Sequence, residues 1–267
     1  MTLDRFQVDA SSSLAAAVRS SKPEEAVPVR SSPAASNSRQ LESGPAKNFF
    51  DAIACRYDRV YALSGRVSRD RTEEALRSIA GKHRVLILGV GSGRELPLVL
   101  DAGHDAIGVD LSPAMIALCN RRSRTIPIVE TDFWSPLPFD DASFDAALAL
   151  HGTLAHPPRT TAFSDLAREL GRVLRPRGVL VAEVPSATAL ARMASVPQRV
   201  LPEGIRIEML SRTSFIHHDD ALRVSIAGVA YDAEGWRSVL SPIFDVKVEP
   251  LGDIEVRIVA INVSPQP

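Results

Sequence analysis

Short aliphatic runs recur along the chain from Phe49 onwards, and stretches with helical spacing separate them. Five of these runs predict strands that are buried on both faces, at residues 84–88, 106–109, 126–130, 144–150 and 179–184. Apolar residues that return every three or four positions predict helices over 70–80, 113–122 and 162–174. This alternation predicts an α/β fold, in which a doubly wound, mostly parallel sheet carries helices on both faces.

The pattern changes beyond residue 200. Three short stretches, at 205–210, 213–217 and 222–227, are separated by polar turns and predict a small antiparallel insertion over about 200–228. A helix near 233–240 follows the insertion, and two closing strands follow that helix, at 246–249 and 255–263. The turn at 252–253 predicts that the two closing strands pair with each other.

Residues 1–46 differ in composition from the rest of the chain. They contain ten serines, eight alanines and four prolines, with Phe6 as the sole aromatic residue. Such a segment cannot bury enough apolar surface to offset its ordering entropy, so we predict a disordered N-terminal tail. An organellar transit peptide is the alternative, but acidic residues such as Asp4, Asp9, Glu24 and Glu25 oppose it, because such peptides are poor in acids. Residues 47–267 are then predicted to form one domain that includes the insertion.

Composition narrows the class of protein. The chain has 267 residues, of which 45% are hydrophobic and 24% charged, and its net charge is −1. This charge argues against nucleic acid as a partner, and no apolar run approaches the roughly 18 residues of a membrane span. Cys55 and Cys119 are too few for a disulfide scaffold or a four-thiolate zinc site. We expect a soluble, cytoplasmic protein with an aliphatic core, since only 5% of its residues are aromatic.

A glycine-rich loop follows the first predicted strand. Gly89, Gly91 and Gly93 allow a tight turn from strand to helix and a close approach of the backbone to a ligand. Asp110 ends the second strand, 21 residues after the first glycine. An acid at that place accepts hydrogen bonds from ribose hydroxyls, although it can also serve as a cap for the following helix.

Two adjacent pairs farther along the chain carry weaker signals. Asp132 and Phe133, after the third strand, can contact an exocyclic amine and the face of a purine, or can simply form a surface turn. His217 and His218 have metal-binding side chains, but neighbours on a strand point to opposite faces and do not easily chelate one ion. We therefore predict no metal site.

The glycine loop belongs to a longer series of spaced motifs. In order, these are VLILGVGSG at 85–93, GVDLSP at 108–113, Asp132, LPF at 137–139, SFD at 143–145 and RVLRPRG at 172–178. The series resembles class I S-adenosylmethionine-dependent methyltransferases. The stretch FDAIACRYD at 50–58 looks like the entry helix of their small-molecule branch, which includes the ubiquinone and menaquinone C-methyltransferases. The resemblance implies a Rossmann-like, seven-stranded sheet with an antiparallel last strand, S-adenosyl-L-methionine as cofactor, and a small organic molecule as methyl acceptor.

The resemblance also implies roles for individual positions. Its cofactor site comprises the glycine loop and the ends of the second, third and fourth strands: Gly89, Gly91, Gly93, Asp110, Leu111, Asp132, Phe133, Leu150 and His151. Tyr57 would reach over the cofactor from the entry helix. His151 and His156 are candidate catalytic bases, because both follow the fourth strand, and Tyr57 is the third candidate catalytic residue. Most of the rate would come from holding the acceptor, methyl and sulfur in line.

One departure from the family keeps other functions open. The family commonly has an acid two residues before the first glycine, where this chain has Ile87, and Glu95 is a speculative substitute. A cofactor-binding regulatory pseudoenzyme without methyl transfer is therefore one alternative. A nicotinamide-dependent oxidoreductase is the other, although Arg94 stands where the dinucleotide fingerprint has its third glycine.

Overall fold

A computed structural model describes residues 44–61, 65–122, 126–159, 161–195, 204–252 and 255–263. Within them, the strands are β1 (Arg84–Leu88), β2 (Asp105–Asp110), β3 (Ile128–Glu130), β4 (Phe144–Ala149), β5 (Leu174–Pro185), β6 (Ile205–Met209), β7 (Ser214–Asp219), β8 (Val224–Val229), β9 (Phe244–Leu251) and β10 (Glu255–Asn262). The helices are α1 (Gly44–Ile53), α2 (Tyr57–Val60), α3 (Gly65–Arg77), α4 (Leu96–Asp101), α5 (Pro113–Arg122), α6 (Ala162–Val173), α7 (Ala187–Ser195) and α8 (Ala233–Leu240). Across these ranges, no helix is long and apolar enough to cross a membrane.

Seven strands form the central sheet in the order β3-β2-β1-β4-β5-β10-β9. The pairs from β3 to β5 are parallel, whereas β10 runs antiparallel to both of its neighbours. This confirms the predicted doubly wound sheet with an antiparallel last strand. The carboxyl ends of the parallel strands meet at one edge, so the segments that follow β1, β2, β3 and β4 lie together there.

The predicted insertion is a separate three-stranded antiparallel sheet, in the order β6-β7-β8. It occupies Ile205–Val229, which agrees with the expected range, and residues 196–203 lie outside the described part. The sheet packs on α1 through Ile226 of β8, which shares a buried apolar cluster with Phe49 and Ile53. The insertion therefore closes over the sheet edge together with the first helix.

Several predicted boundaries are corrected. Residues 1–43 lie outside the described part, so the predicted tail stays a prediction there, but Gly44–Ala46 form the first turn of α1. Helix α3 begins at Gly65, not at 70. Strand β5 begins at Leu174, because that residue pairs with Phe144 before a register shift resumes pairing at Val179. Helix α7 was not predicted, since its alanine-rich sequence has a weak apolar period.

The core is less purely aliphatic than composition predicts. Strands β1, β4 and β5 bury aliphatic side chains completely, as expected. One face of the sheet, however, collects the edge-to-face rings of Trp134, Phe163, Tyr231 and Trp236, with centroids 5.1–5.7 Å apart. Few aromatic residues are present, but they concentrate at the helix-covered face because each buries a large area.

The third glycine of the loop gives a test of the packing. Gly93 has φ +73°, and a Cβ built there would lie 2.6 Å from Sγ of the buried Cys119. Gly103 has φ +81°, but an added Cβ would meet no atom within 4 Å. We expect Gly93→Ala to lower the free energy of unfolding by about 1–3 kcal/mol more than Gly103→Ala, because only the first adds overpacking to backbone strain. Urea denaturation of the two variants measures the difference, and equal losses would contradict this packing role.

Candidate functional site

A cavity of about 260 Å³ opens at the carboxyl edge of the parallel strands. The structure brings nine of the predicted site residues to its wall: Tyr57, Gly89, Gly91, Asp110, Leu111, Asp132, Phe133, His151 and His156. Both α1 and the β6-β7-β8 sheet contribute to the opposite wall. The sequence-derived site is thus one continuous pocket that the entry helix and the insertion cover.

Two predicted site residues do not line this cavity. Leu150 is 8% exposed and faces a smaller annex of about 30 Å³, which also contacts Ile87, Glu95 and His151. Gly93 turns away from both spaces and packs against Cys119 and Leu96. Glycine is needed at position 93 because α4 and α5 approach closely there, and not because of a ligand contact.

Asp110 is anchored by two backbone donors. Its Oδ2 accepts a hydrogen bond from the Gly91 N–H at 2.7 Å, and its Oδ1 accepts one from the Ser112 N–H at 2.9 Å. Burial raises the pKa of Asp110, and the backbone bonds oppose that rise. A carboxylate has about four acceptor sites, so Asp110 can also accept from the hydroxyls of a bound ligand. The two roles left open for this residue, helix entry and ligand contact, are therefore compatible.

Helix α1 is tied to the same strand end. Ser112 donates from Oγ to Oδ1 of Asp51 at 2.6 Å, and the Ala114 N–H reaches the same carboxylate oxygen at 3.3 Å. Oγ of Ser112 also accepts from the Met115 N–H at 3.1 Å, which is the predicted N-cap of α5. These contacts hold the entry helix across the cavity.

The next turn of the entry segment contacts the glycine loop. Asp58 accepts from Oγ of Ser92 and from Arg122, both at 2.6 Å. Tyr57 lies between this contact and the cavity, with the Arg94 guanidinium 5.5 Å from its ring centroid. Desolvation by burial raises the pKa of Tyr57 to about 12, so at neutral pH its hydroxyl can donate a hydrogen bond but cannot act as a base.

Charged groups converge on the annex. Nε2 of His151 lies 2.9 Å from Oε1 of Glu95, and Nε of Arg94 lies 3.5 Å from the same oxygen. Burial alone would raise the pKa of Glu95, but His151 and Arg94 outweigh it and hold the pKa below its ordinary value. The annex therefore contains an ionised carboxylate beside a guanidinium.

Several of these polar atoms make no hydrogen bond to a described residue, although the three side chains lie within ion-pair distance of one another. The atoms are Oε1 of Glu95, Nη1 of Arg94 and both ring nitrogens of His151. Buried polar atoms that lack hydrogen bonds are costly, so this arrangement is suited to a ligand that carries both charges. An α-amino acid group, with its ammonium and its carboxylate, fits that requirement.

His151 is held by a second acid behind the cavity. Its backbone has φ +55°, and its N–H donates to Oε2 of the fully buried Glu183 at 3.3 Å. The other oxygen of Glu183 accepts from Arg257 at 2.8 Å. This buried pair fixes the loop after β4, and with it the direction of the His151 ring.

The far end of the cavity is suited to a flat, nitrogen-rich ring. Asp132 accepts from the Trp134 N–H at 3.0 Å, and the rings of Phe133 and Trp134 both reach the cavity wall. Leu111 adds an apolar surface. The sequence analysis missed Trp134, because its spacing is typical of a core residue and it is indeed only 7% exposed.

Several rings line the cavity on the side of α1 and the insertion, and we give the name aromatic box to five of them: Phe49, Phe50, His156, Phe215 and His217. Neighbouring centroids lie 5.4–6.4 Å apart. Burial lowers the pKa of His156 to about 4 and that of His217 to about 3, so both imidazoles are neutral at pH 7. Of these five, the sequence predicts a site role only for His156, since His217 is considered there only as a metal ligand. The alternation of Phe215 and His217 on one face of β7 was the available signal for two others.

His218 points away from this cavity. Its Nε2 lies 3.1 Å from Oε2 of Glu208 on the neighbouring strand. The adjacent histidines therefore have separate environments, as expected for consecutive residues of a strand. Among the described residues, no group of three or more metal-binding side chains is arranged to hold an ion.

Comparisons with known proteins agree with this geometry. Residues 86–182 match a family model described as a methyltransferase domain. A demethylmenaquinone methyltransferase from Beutenbergia cavernae is 36% identical over 148 residues, which are 53% of this chain and 59% of that protein. The matches to the first three curated relatives span about half to three fifths of those proteins.

Solved structures show the same fold at low identity. The PH0226 protein from Pyrococcus horikoshii has a TM-score of 0.62 at 20% identity, with 78% of this chain and 95% of that chain covered. A Burkholderia thailandensis 1,6-didemethyltoxoflavin-N1-methyltransferase, solved with that compound and S-adenosylhomocysteine, has a TM-score of 0.59 at 17% identity. That match covers 89% of this chain and 95% of the other.

The neutral histidines predict a pH-dependent stability. Below about pH 6.5 the unfolded chain binds a proton at His217 that the folded chain, with a pKa of about 3, does not bind. Stability is therefore lost as the pH falls from about 6.5 towards 3. In the natural protein, His217 should contribute about 2 kcal/mol to the fall in unfolding free energy between pH 7 and pH 5. The variant His217→Phe should lack this contribution, so its unfolding free energy should fall by about that much less. Urea denaturation at both pH values measures this fall. The variant His218→Phe should keep it, and an unchanged fall in His217→Phe would contradict a neutral, buried imidazole.

Proposed function

We propose that the protein transfers the methyl group of S-adenosylmethionine to a small organic acceptor, because residues 86–182 match a methyltransferase-domain model and the chain shares its fold with solved methyltransferases. The single observation that carries this proposal is Asp110. Its buried carboxylate ends β2 and lines the cavity between the glycine loop and α5, where it can accept further hydrogen bonds. That arrangement suits the two hydroxyls of a ribose.

The remaining contacts follow the length of the cofactor. Phe133, Trp134 and Leu111 would pack against the adenine, and Asp132 would accept from its amine. Gly91 would leave the backbone open beside the ribose, because an added Cβ there would meet only the Gly89 carbonyl oxygen, at 3.8 Å, whereas a Cβ at Gly89 would lie 2.7 Å from the side chain of Thr153. Tyr57 would cover this part from the entry segment as a neutral phenol.

Glu95 would replace the acid that Ile87 does not supply. Ile87 is 7% exposed and packs within an apolar cluster, so β1 offers no charge to the annex. The Glu95 carboxylate can instead accept the ammonium of the methionyl group, while Arg94 can bind its carboxylate. His151 lies against Glu95 and would orient it, which makes a positioning role more suitable for His151 than that of a base.

The chemistry that the cofactor supplies is an electrophilic methyl group on a sulfonium. The chain's part is to exclude water, hold the acceptor in line and receive a proton where the nucleophile carries one. The near-neutral charge supports a small molecule over nucleic acid as acceptor, and the two free cysteines support a cytoplasmic location. Neither the pseudoenzyme nor the nicotinamide alternative is favoured by any of these observations.

Removing the Asp110 carboxylate should abolish most of the affinity for S-adenosylhomocysteine. We expect Asp110→Ala to weaken binding by about 100-fold or more, because two hydrogen bonds to a charged group are lost. Calorimetric titration measures the change. Asp105→Ala, at the opposite end of the same strand, is the matched control and should bind as the natural protein does. Unchanged binding by Asp110→Ala would show that the ribose site is elsewhere, and absence of binding by the natural protein would overturn the proposed function.

The role of Glu95 can be separated from that of the ribose site. Glu95→Gln should weaken S-adenosylhomocysteine by about tenfold, since it removes the charge opposite the ammonium. It should leave 5′-methylthioadenosine unaffected, because that compound has the same nucleoside and no amino acid group. Competition calorimetry with both compounds gives the two affinities. Equal weakening of both would argue against a contact between Glu95 and the methionyl end.

A further inference from the structure

The aromatic box is assembled from three distant parts of the chain. Phe49 and Phe50 come from α1, His156 follows β4, and Phe215 and His217 come from β7. Phe49 and Phe215 are only 2% and 3% exposed, so the rings that carry most of the wall are fixed by the core behind them. Rings at these separations are in contact with one another, so they form a continuous aromatic wall on which a flat aromatic ligand can stack or pack edge-on.

The hydrogen bond of His156 determines which of its nitrogens is free. Nδ1 lies 2.9 Å from the carbonyl oxygen of Ala227 in β8. A carbonyl oxygen only accepts, so Nδ1 carries the hydrogen, and Nε2 of the neutral ring carries a lone pair. No hydrogen bond joins Nε2 to any described residue. The box therefore presents a hydrogen-bond acceptor to the ligand, and that acceptor is also a base.

The facing histidine adds a second unpartnered nitrogen. His217 lies 6.3 Å from His156 between ring centroids, and its Nε2 is buried without a hydrogen-bond partner among the described residues. A ligand that fills the box with a polar substituent between the two imidazoles would satisfy both nitrogens. A wholly apolar ligand would leave both unpaired.

The acid that β7 places next to the box is already paired. Asp219 follows His217 on the same face of β7, but its carboxylate accepts from Arg56 and from the hydroxyl of Tyr61, each at 3.0 Å. This acid is fully buried and already neutralised by a guanidinium. It is not available to a cationic amine, whereas a neutral aryl compound needs no such counter-charge.

We propose, resting on the proposed function, that the acceptor is a neutral, planar aromatic hydroxyl compound whose ring lies in the aromatic box and whose hydroxyl proton passes to Nε2 of His156. The hydroxyl oxygen attacks the methyl carbon, and the new O–CH₃ bond forms as the CH₃–S bond breaks. The electron pair of that bond stays on sulfur, which gives the neutral thioether. The hydroxyl proton moves to Nε2, and the resulting imidazolium later releases it to water.

A weak base is sufficient for this step. As the oxygen gains the methyl group it acquires positive charge, so its proton becomes strongly acidic during the transfer. Burial lowers the pKa of His156 to about 4, which keeps the imidazole unprotonated and ready to receive that proton at neutral pH. His217 would hold the hydroxyl in place as a positioning residue.

Binding tests the substrate class without requiring turnover. The full-length protein is saturated with S-adenosylhomocysteine and titrated by calorimetry with 2-naphthol, 2-methoxynaphthalene and decahydro-2-naphthol. We expect 2-naphthol to bind at least about tenfold more tightly than either control, because the second compound lacks the proton and the third lacks the flat ring. Equal binding of decahydro-2-naphthol, or no binding of 2-naphthol while S-adenosylhomocysteine binds, would overturn this inference and leave the proposed function standing.

Turnover tests the role of His156. With S-adenosylmethionine and 2-naphthol, the expected product is 2-methoxynaphthalene, identified by mass spectrometry and NMR; a ring-carbon methyl product would contradict the inference. His156→Gln should lower kcat by about 100-fold or more with the affinity for 2-naphthol nearly unchanged. Phe215→Leu should mainly weaken that affinity, and His218→Gln, on the opposite face of β7, should behave as the natural protein. An undiminished kcat in His156→Gln would exclude it as the base.

Discussion

The carboxylate of Asp110 makes the contact on which the rest of the candidate site depends. One of its oxygens accepts from Gly91 in the glycine loop, and the other accepts from Ser112 at the start of α5. Ser112 in turn donates to Asp51, which ties α1 across the cavity. Because an unpaired buried carboxylate is costly, these bonds fix the loop, the strand end and the entry helix relative to one another. We propose that the same carboxylate also accepts hydrogen bonds from the ligand.

The parts that position this contact are predictable from sequence because their signals are local. Strands β1 and β2 are short, aliphatic and bounded by glycine or aspartate, and Ser112 with Pro113 marks the start of α5 within one residue. The small sheet at Ile205–Val229 is likewise visible in its alternation. Boundaries are less predictable where pairing decides them, as at Leu174, which extends β5 only because Phe144 lies opposite.

The aromatic box, where we propose that the methyl acceptor binds, is not predictable in the same way, because it is created by tertiary packing. Phe49, His156 and Phe215 are far apart in the chain, and each one alone is typical of an ordinary core or loop residue. The annex is equally hard to predict. Ile87 gives β1 no charged side chain there, and only the fold shows that the carboxylate of Glu95 lies in the annex beside His151. We therefore propose that acceptor specificity arises from α1 and the β6-β7-β8 sheet, whereas the edge of the central sheet supplies the part common to the fold.

A crystal structure of the protein with S-adenosylhomocysteine tests the central claim most directly. The account predicts that both ribose hydroxyls lie within hydrogen-bond distance of the Asp110 oxygens. It also predicts that the amino acid group lies in the annex against Glu95 and Arg94, and that the sulfur faces the aromatic box. A nucleoside bound away from Asp110, or an amino acid group outside the annex, would contradict it.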